Sequence, residues 1–328
     1  VLAAASKLPP RGAIFIIAIA CATASIFAVT YSLALGRATP RHIPAALVGD
    51  SRTHADLVAT VERAMHNTLS FTPYGSVAAA ERAIDEQRIY AVLDLNGSHP
   101  RLLIASADGV SVARLLTQAA EMVERRGAPT LSVVDLHPLP PGDPQGLVSF
   151  YVTLAATLLG FITMFQMRSN VSPMGLRTWL GCIALLAIAG GLLLALITDP
   201  FLGALRGPFV ELWAVLAAET AVSALFASTM IVLVGRWAWL PTWLLFVAVG
   251  NSSSGGAVAP PLEPPFFAFI GAFLPTGATV ETIRGAVYFT HTQQLQPIVV
   301  ESLWLVGGMS ALLTSTHILG RVPGRRDN

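Results

Sequence analysis

Six apolar blocks, most of them as long as a bilayer's hydrocarbon layer is thick, limit what this chain can fold into more than any other feature. About 20 apolar residues cross roughly 30 Å of hydrocarbon as a helix, and within that layer each backbone N–H and C=O must be satisfied inside the protein. The blocks run Ala13 to Leu35, Leu147 to Met167, Trp179 to Ile197, Phe209 to Gly235, Trp237 to Gly250 and Ile298 to Leu319. Only 12% of the 328 residues are charged, against roughly 25% in a soluble domain. The chain therefore reads as a multi-pass membrane protein.

Lys7 and Arg11 precede the first block, and no small-x-small cleavage pattern follows at Thr39-Pro40-Arg41, although Ser32, Ala34 and Gly36 lie close by. That block reads as an uncleaved anchor. If the six spans alternate, Lys7, Arg11, Arg168, Arg177, Arg236, Arg321, Arg325 and Arg326 share one side, and in the short segments opposite only Arg206 and Arg284 occur, residues 37–146 forming a domain large enough to ignore the charge rule. The positive-inside bias then places both termini in the cytoplasm of a cell with this chain in its plasma membrane. Trp179, Trp237, Trp239 and Trp243 sit near span ends, where interfacial aromatics belong. Cys21 and Cys182 lie inside spans and read as small packing residues.

The expected organisation is a cytoplasmic segment 1–12, a first span 13–36, an outward domain 37–146, a membrane domain 147–320 with a re-entrant segment 251–290, and a cytoplasmic tail 321–328. In the outward domain the apolar period switches between two and about 3.6. "IPAALVG" reads as a strand and "SRTHADLVATVERAMHNTL" as an amphipathic helix carrying Leu57, Val61, Ala64, Met65 and Leu69. A strand near Phe71, a helix capped by Ser76, the strands "IYAVLDL" and "RLLIASA", a helix from Val110 to Arg126 and the strand "TLSVVDLHPL" complete a βαβαββαβ order. This predicts an extracytoplasmic α+β domain between spans 1 and 2.

Catalysis finds little support. His42, His54, His66, His99 and His137 lie in the outward domain, but His54 and His66 are placed about 120° apart on a helix and no carboxylate pairs with them at metal-binding spacing. The only lysine is Lys7, so a G-x-x-x-x-G-K-[ST] phosphate loop is absent. Neither H-E-x-x-H nor G-x-S-x-G occurs. The chain is not expected to be an enzyme, and no cofactor, metal or nucleic-acid partner is implied. Any ATP would be hydrolysed by a separate subunit.

Ionisable groups at membrane depth mark function, since each costs at least about 2.5 to 3.5 kcal/mol to insert. Glu219 lies about ten residues into its span, roughly 15 Å deep, with Ser223 one turn on. It is either a polar point in a cavity or seam, or a carboxyl that joins helices. Glu211 is shallower and reads as interfacial. In the last span Gly307, Ser310, Thr314 and His317 make a small and polar stripe, so Ser310 and Thr314 join Glu219 and Ser223 as candidates for a pathway or helix seam. Ala187, Gly190 and Gly191 form another small-residue surface.

"GNSSSGGAVAPPLEPPFFAFIGAFLP", Gly250 to Pro275, breaks the pattern. The block before it has about 14 residues, about 21 Å of helix, which is marginal for crossing. Prolines and glycines forbid a regular helix from Gly250 to Pro265, and "FFAFIGAFLP" is too short to span yet too apolar for water. "TGATVETIRGAVYF" follows as a helix that Thr276 or Thr279 can cap, with Glu281, Arg284 and Tyr288 aligned. Irregular backbone at membrane depth survives when buried in protein, so a re-entrant helical hairpin before the last span is expected, giving six transmembrane helices in all.

The stretch from Gly250 to Phe289 resembles the signature before the final span of the YhgE/Pip (phage infection protein) family, which is similar to permeases of type-2 ABC exporters. Gly250, Asn251, Ser254, Gly255, Gly256, Pro265, Phe266, Gly271, Leu274, Pro275, Gly277, Arg284, Tyr288 and Phe289 match, whereas Ser252 stands where that family often has proline. The resemblance implies a dimeric permease-like fold with outward domains, and names no substrate. Asn251, Ser254, Gly255, Gly256, Pro275, Glu281, Arg284 and Tyr288 become candidates for a gate. Arg168 and Arg177, bounding the longest cytoplasmic connection, become candidates for docking a separate ATPase. Two readings result. One is an exporter of an apolar or amphipathic molecule (a lipid, a drug or an envelope component), working as a homodimer among membrane lipids. The other is a scaffold or receptor whose outward domain binds a protein, an envelope polymer or a phage.

Overall fold

The computed structural model describes residues 11–36, 38–97, 99–126, 130–171 and 173–324. Lys7, Arg325 and Arg326, counted above for orientation, lie outside them. A long apolar helix, α1 (Arg11–Ala34), leads into the sheet unit. There β1 (Ile43–Val48), α2 (Ala55–Ala64), β2 (Leu69–Tyr74), α3 (Val77–Asp85), β3 (Ala91–Asp94), β4 (Arg101–Ile104), α4 (Val110–Arg125) and β5 (Ser132–Asp135) follow in the βαβαββαβ order. The strands lie side by side as β2-β1-β3-β4-β5. All pairs are parallel except β3 and β4, which follow one another in the chain.

Side chains alternate faces along each strand. Ile43, Ala45, Ala91, Leu93, Leu102 and Ile104 meet α2 and α4, while Ala46, Val48, Val92 and Leu103 meet α3 on the other face. Ser76 caps α3, its hydroxyl accepting from the Ala79 amide at 3.2 Å. The amphipathic pattern in α2 overshoots: the helix stops at Ala64, His66 and Asn67 take φ of 52° and 56°, and Leu69 opens β2 instead. His54 and His66 thus flank the helix instead of sharing it.

The second half of the chain forms α5 (Val148–Asn170), α6 (Leu176–Leu196), α7 (Phe209–Val234), the short α8 (Trp239–Trp243), α9 (Pro265–Gly271), α10 (Pro275–Tyr288) and α11 (Leu295–Leu319). Five helices, α1, α5, α6, α7 and α11, are long and apolar enough to cross a membrane, and the count reaches six only if α9 and α10, bent by 74°, are one broken span. The expected span from Trp237 to Gly250 is not one of these long helices but a shorter, irregularly wound one. α8 holds Pro241 in its first turn, where no amide donor is needed, and the chain then continues through a π-helical stretch, Leu244–Gly250, and a 3-10 turn, Asn251–Ser253.

α7 is the central helix, packed against α5, α6, α10 and α11. The small-residue surface on α6 works as packing: a side chain at Gly191 would come within 2.6 Å of the Ala217 amide nitrogen. Trp179, expected at an interface, is fully buried, and its indole N–H donates to Ser228 Oγ at 2.8 Å, joining α6 to α7. Cys21, expected to pack, is exposed.

The irregular Gly/Pro stretch is divided between two neighbours. Asn251 to Ser254 are buried, whereas Ala259 and Leu262 belong to the apolar core of the sheet unit. Thr39 and Arg41 donate their amides to the carbonyls of Leu262 and Pro261 at 3.0 and 2.9 Å, and Ala259 donates to Ser111 Oγ at 3.0 Å. Backbone that no helix satisfies is therefore satisfied by the sheet unit. Neither Thr276 nor Thr279 caps α10, whose N-cap is Leu274.

Candidate functional site

Glu219 projects from α7 into the centre of the bundle, fully buried. The Thr157 hydroxyl of α5 bonds its Oε1, and the Thr279 hydroxyl of α10 lies 3.2 Å from its Oε2. The same Thr279 hydroxyl lies 3.2 Å from Oε2 of Glu301 on α11, a second carboxyl only 7% exposed. Thr157 also contacts the Thr153 carbonyl at 2.9 Å.

Hydrogen counting defines the chemistry. Four polar contacts surround two hydroxyls, and a hydroxyl has one hydrogen to donate. All four become hydrogen bonds when each carboxyl carries a proton. Neither carboxyl belongs to an ion pair among the described residues. Two like-charged carboxylates this close and this dry cannot both ionise cheaply, so the pair is a proton-holding site.

The sequence pointed to Glu219 and missed its partners. Glu301 lies only a few residues inside its apolar block, where a carboxyl reads as interfacial. Thr157 and Thr279 carry no sequence signal, because a helical threonine usually bonds the carbonyl one turn back. The other proposed pathway residues do not join the site. Ser223 donates to the Thr220 carbonyl at 3.1 Å and sits in a seam, since a Cβ on Gly160 of α5 would be 2.0 Å from its Oγ. Ser310 and Thr314 are exposed. α11 turns Glu301, Leu312, Ser315 and Thr316 inward, leaving the small and polar stripe on its outer face.

The gate candidates converge more closely. Arg284 donates to Glu281 Oε1 at 2.9 Å and to the Gly255 carbonyl at 2.8 Å, with the Gly256 carbonyl at 3.4 Å. Asn251 donates to the Tyr31 hydroxyl of α1 at 2.7 Å, and the Ser254 hydroxyl donates to the Asn251 carbonyl at 2.9 Å. Pro275 opens α10 at its first position, a place that needs no amide donor. Tyr288 packs on the sheet unit's second apolar cluster, and its hydroxyl has no partner among the described residues. The eight residues therefore tie α10 to the glycine turn, to α1 and to the sheet unit.

Between the sheet unit and this segment lies a cavity of about 210 Å³, lined among others by Gln87, Tyr90, Asp108, Ser254 and Glu281. Asp108 is 4% exposed. Its Oδ1 accepts from Gln87 at 3.0 Å, and Oδ2 has no partner among the described residues. Burial, helped by the nearby Glu281, pushes its carboxyl from an ordinary 3.8 up to about 7, against the opposing Gln87 bond and Arg284 charge. The folded state thus holds this proton more tightly than the unfolded state. Its contribution to stability is complete below pH 3.8 and is lost as pH rises through about 7. Asp108→Asn is expected to flatten that part of the pH dependence by on the order of a few kcal/mol. Melting of the detergent-purified protein across this range checks it; an unchanged slope in the variant would refute the assignment.

At the opposite end of the bundle, Arg168 donates to the Pro323 carbonyl at 3.1 Å, and the Met174 amide reaches the Gly324 carbonyl at 3.3 Å. Arg177 is exposed. The connection proposed for docking an ATPase is thus partly engaged by the chain's own C-terminal segment. Among the described residues no group of three or more His, Cys, Asp or Glu is placed to hold a metal ion. No family model, curated protein or solved structure matches the chain.

Proposed function

We propose that the chain is an export permease of the plasma membrane, moving an apolar or amphipathic molecule outward. In this reading it has six spans, counting α9 and α10 as a re-entrant element and placing the run before them as a short, distorted crossing. The segment before α1 and the segment after α11 are cytoplasmic, the sheet unit is outside, and two copies work together. One observation carries the reading: a buried carboxyl pair, with no ion-pair partner among the described residues, sits where four helices meet. A membrane anchor gains nothing from two such groups, each of which is expensive to insert. The resemblance of Gly250 to Phe289 to the YhgE/Pip signature agrees with it.

Protons are the energy source this pair supports, since the chain has no phosphate loop of its own. The test is the purified protein in liposomes carrying a pH gradient and no nucleotide. Outward movement of lipophilic fluorescent compounds, abolished when the gradient is collapsed, is the expected result. Movement that requires ATP and a copurifying ATPase would shift the energy source to a partner. No movement under either condition, with a protein or polymer bound by the sheet unit, would establish the scaffold reading.

A further inference from the structure

A second cavity, of about 260 Å³, lies between α7, α10 and α11 and reaches Glu301. Its walls are mainly apolar, with Ala214, Val215 and Ala218 from α7 and Ile298 and Leu305 from α11. Glu211 and Gln293 also line it, where Gln293 donates to Glu211 Oε2 at 2.6 Å. The ionisable lining is therefore acidic only. Among the described residues Glu301 Oε1 has no hydrogen-bond partner, although the residue is more than nine-tenths buried.

We infer that this cavity binds the charged head of a lipophilic organic cation, with Glu301 as its counter-ion. A carboxyl in an apolar pocket ionises readily only when a positive charge arrives with it. Apolar walls reject a hydrated inorganic ion, and too few oxygens converge for calcium or magnesium. The volume is just below the roughly 300 to 1,000 Å³ of small-molecule pockets, enough for a head group while the remainder follows the helix surfaces into lipid.

Binding is an exchange. The cation enters, the Glu301 carboxyl releases its proton to water, and a neutral acid is replaced by a neutral ion pair. The groups facing Glu301 are Glu211 and Glu219 from α7, Thr279 and Thr282 from α10, and Gln293 and Ser302 beside it. None of them is basic. The inference rests on the permease reading for the direction of movement, whereas the binding itself is measurable without transport.

The test is equilibrium binding of radiolabelled tetraphenylphosphonium to the full chain in lipid nanodiscs, with neutral triphenylphosphine oxide as competitor. Wild type is expected to bind the cation more tightly as pH rises, by up to about tenfold per pH unit while Glu301 is protonated. The neutral analogue should not compete. Glu301→Gln should lose at least about tenfold in affinity and all of the pH dependence, whereas Glu301→Asp should keep the dependence. Ala218→Trp, which fills the cavity and leaves both carboxyls in place, should also abolish binding; melting curves confirm that each variant is folded. Equal binding by folded Glu301→Gln, or pH-independent binding by wild type, would overturn the site. Binding without gradient-driven movement would overturn the permease reading and leave the site standing, and movement of other compounds without binding of this cation would do the reverse.

Discussion

Glu219→Gln is expected to leave the protein folded and to reduce gradient-driven export at least tenfold. The amide is nearly isosteric with the acid: its N–H₂ can donate toward the Thr157 hydroxyl and its carbonyl can accept from Thr279, the contacts that hold the carboxyl now. It cannot release or take up a proton, so only chemistry is removed. Glu301→Gln should reduce export by a similar factor through the same shared hydroxyl. Because the two carboxyls act as a unit, the double variant should lose little more than either single one, as is usual when residues share a network. Initial rates in liposomes under a fixed pH gradient, alongside melting temperatures, separate loss of function from loss of fold. Normal export by a folded Glu219→Gln protein would remove the pair from the mechanism.

Gly271→Val should abolish folding, and Gly271→Ala should destabilise the protein by more than about 3 kcal/mol, beyond the usual range for overpacking. A Cβ on Gly271 would lie 1.8 Å from the Ser253 carbonyl oxygen and 2.9 Å from its carbon. The obstacle is backbone, so no rotamer change relieves it. Gly277 adds a second layer, since its Cβ would lie 2.2 Å from the Gly271 oxygen. Ser253, Gly271 and Gly277 therefore stack backbone on backbone where α9 meets α10, and that stack gives the 74° bend its shape. Gly181→Ala is the control: nothing lies within 4 Å of its added carbon, and alanine favours a helix over glycine by roughly 1 kcal/mol. The yield of monodisperse protein and its melting temperature are the readouts. Wild-type stability for Gly271→Ala would mean that the two helices are not joined in this way.

Elements with a strong period were legible in advance. The βαβαββαβ order, the Ser76 cap and the five long apolar helices depend on local patterning and on burial of one face, which linear order records. In the stretch from Trp237 to Gly250 apolar content did not reveal how the helix is wound: a short α-helix passes into a π-helical stretch. The last span shows the other failure. A stripe of Gly307, Ser310, Thr314 and His317 is a surface of α11, but periodicity assigns a stripe without saying which way it faces.

Glu219 was visible by itself because one carboxylate in a long apolar block is anomalous wherever the block ends up. Its meaning was not visible. Thr157, Thr279 and Glu301 come from three further helices, separated from Glu219 by scores of residues, and only packing brings them within hydrogen-bonding distance. The amino-acid order by itself determined that this chain enters a membrane and carries a folded mixed-sheet unit, since both follow from transfer free energies and local periods. Tertiary structure alone decided that two carboxyls share one hydroxyl and that the Gly/Pro stretch is stitched to the sheet unit, because such contacts depend on the relative placement of helices, which no local pattern encodes.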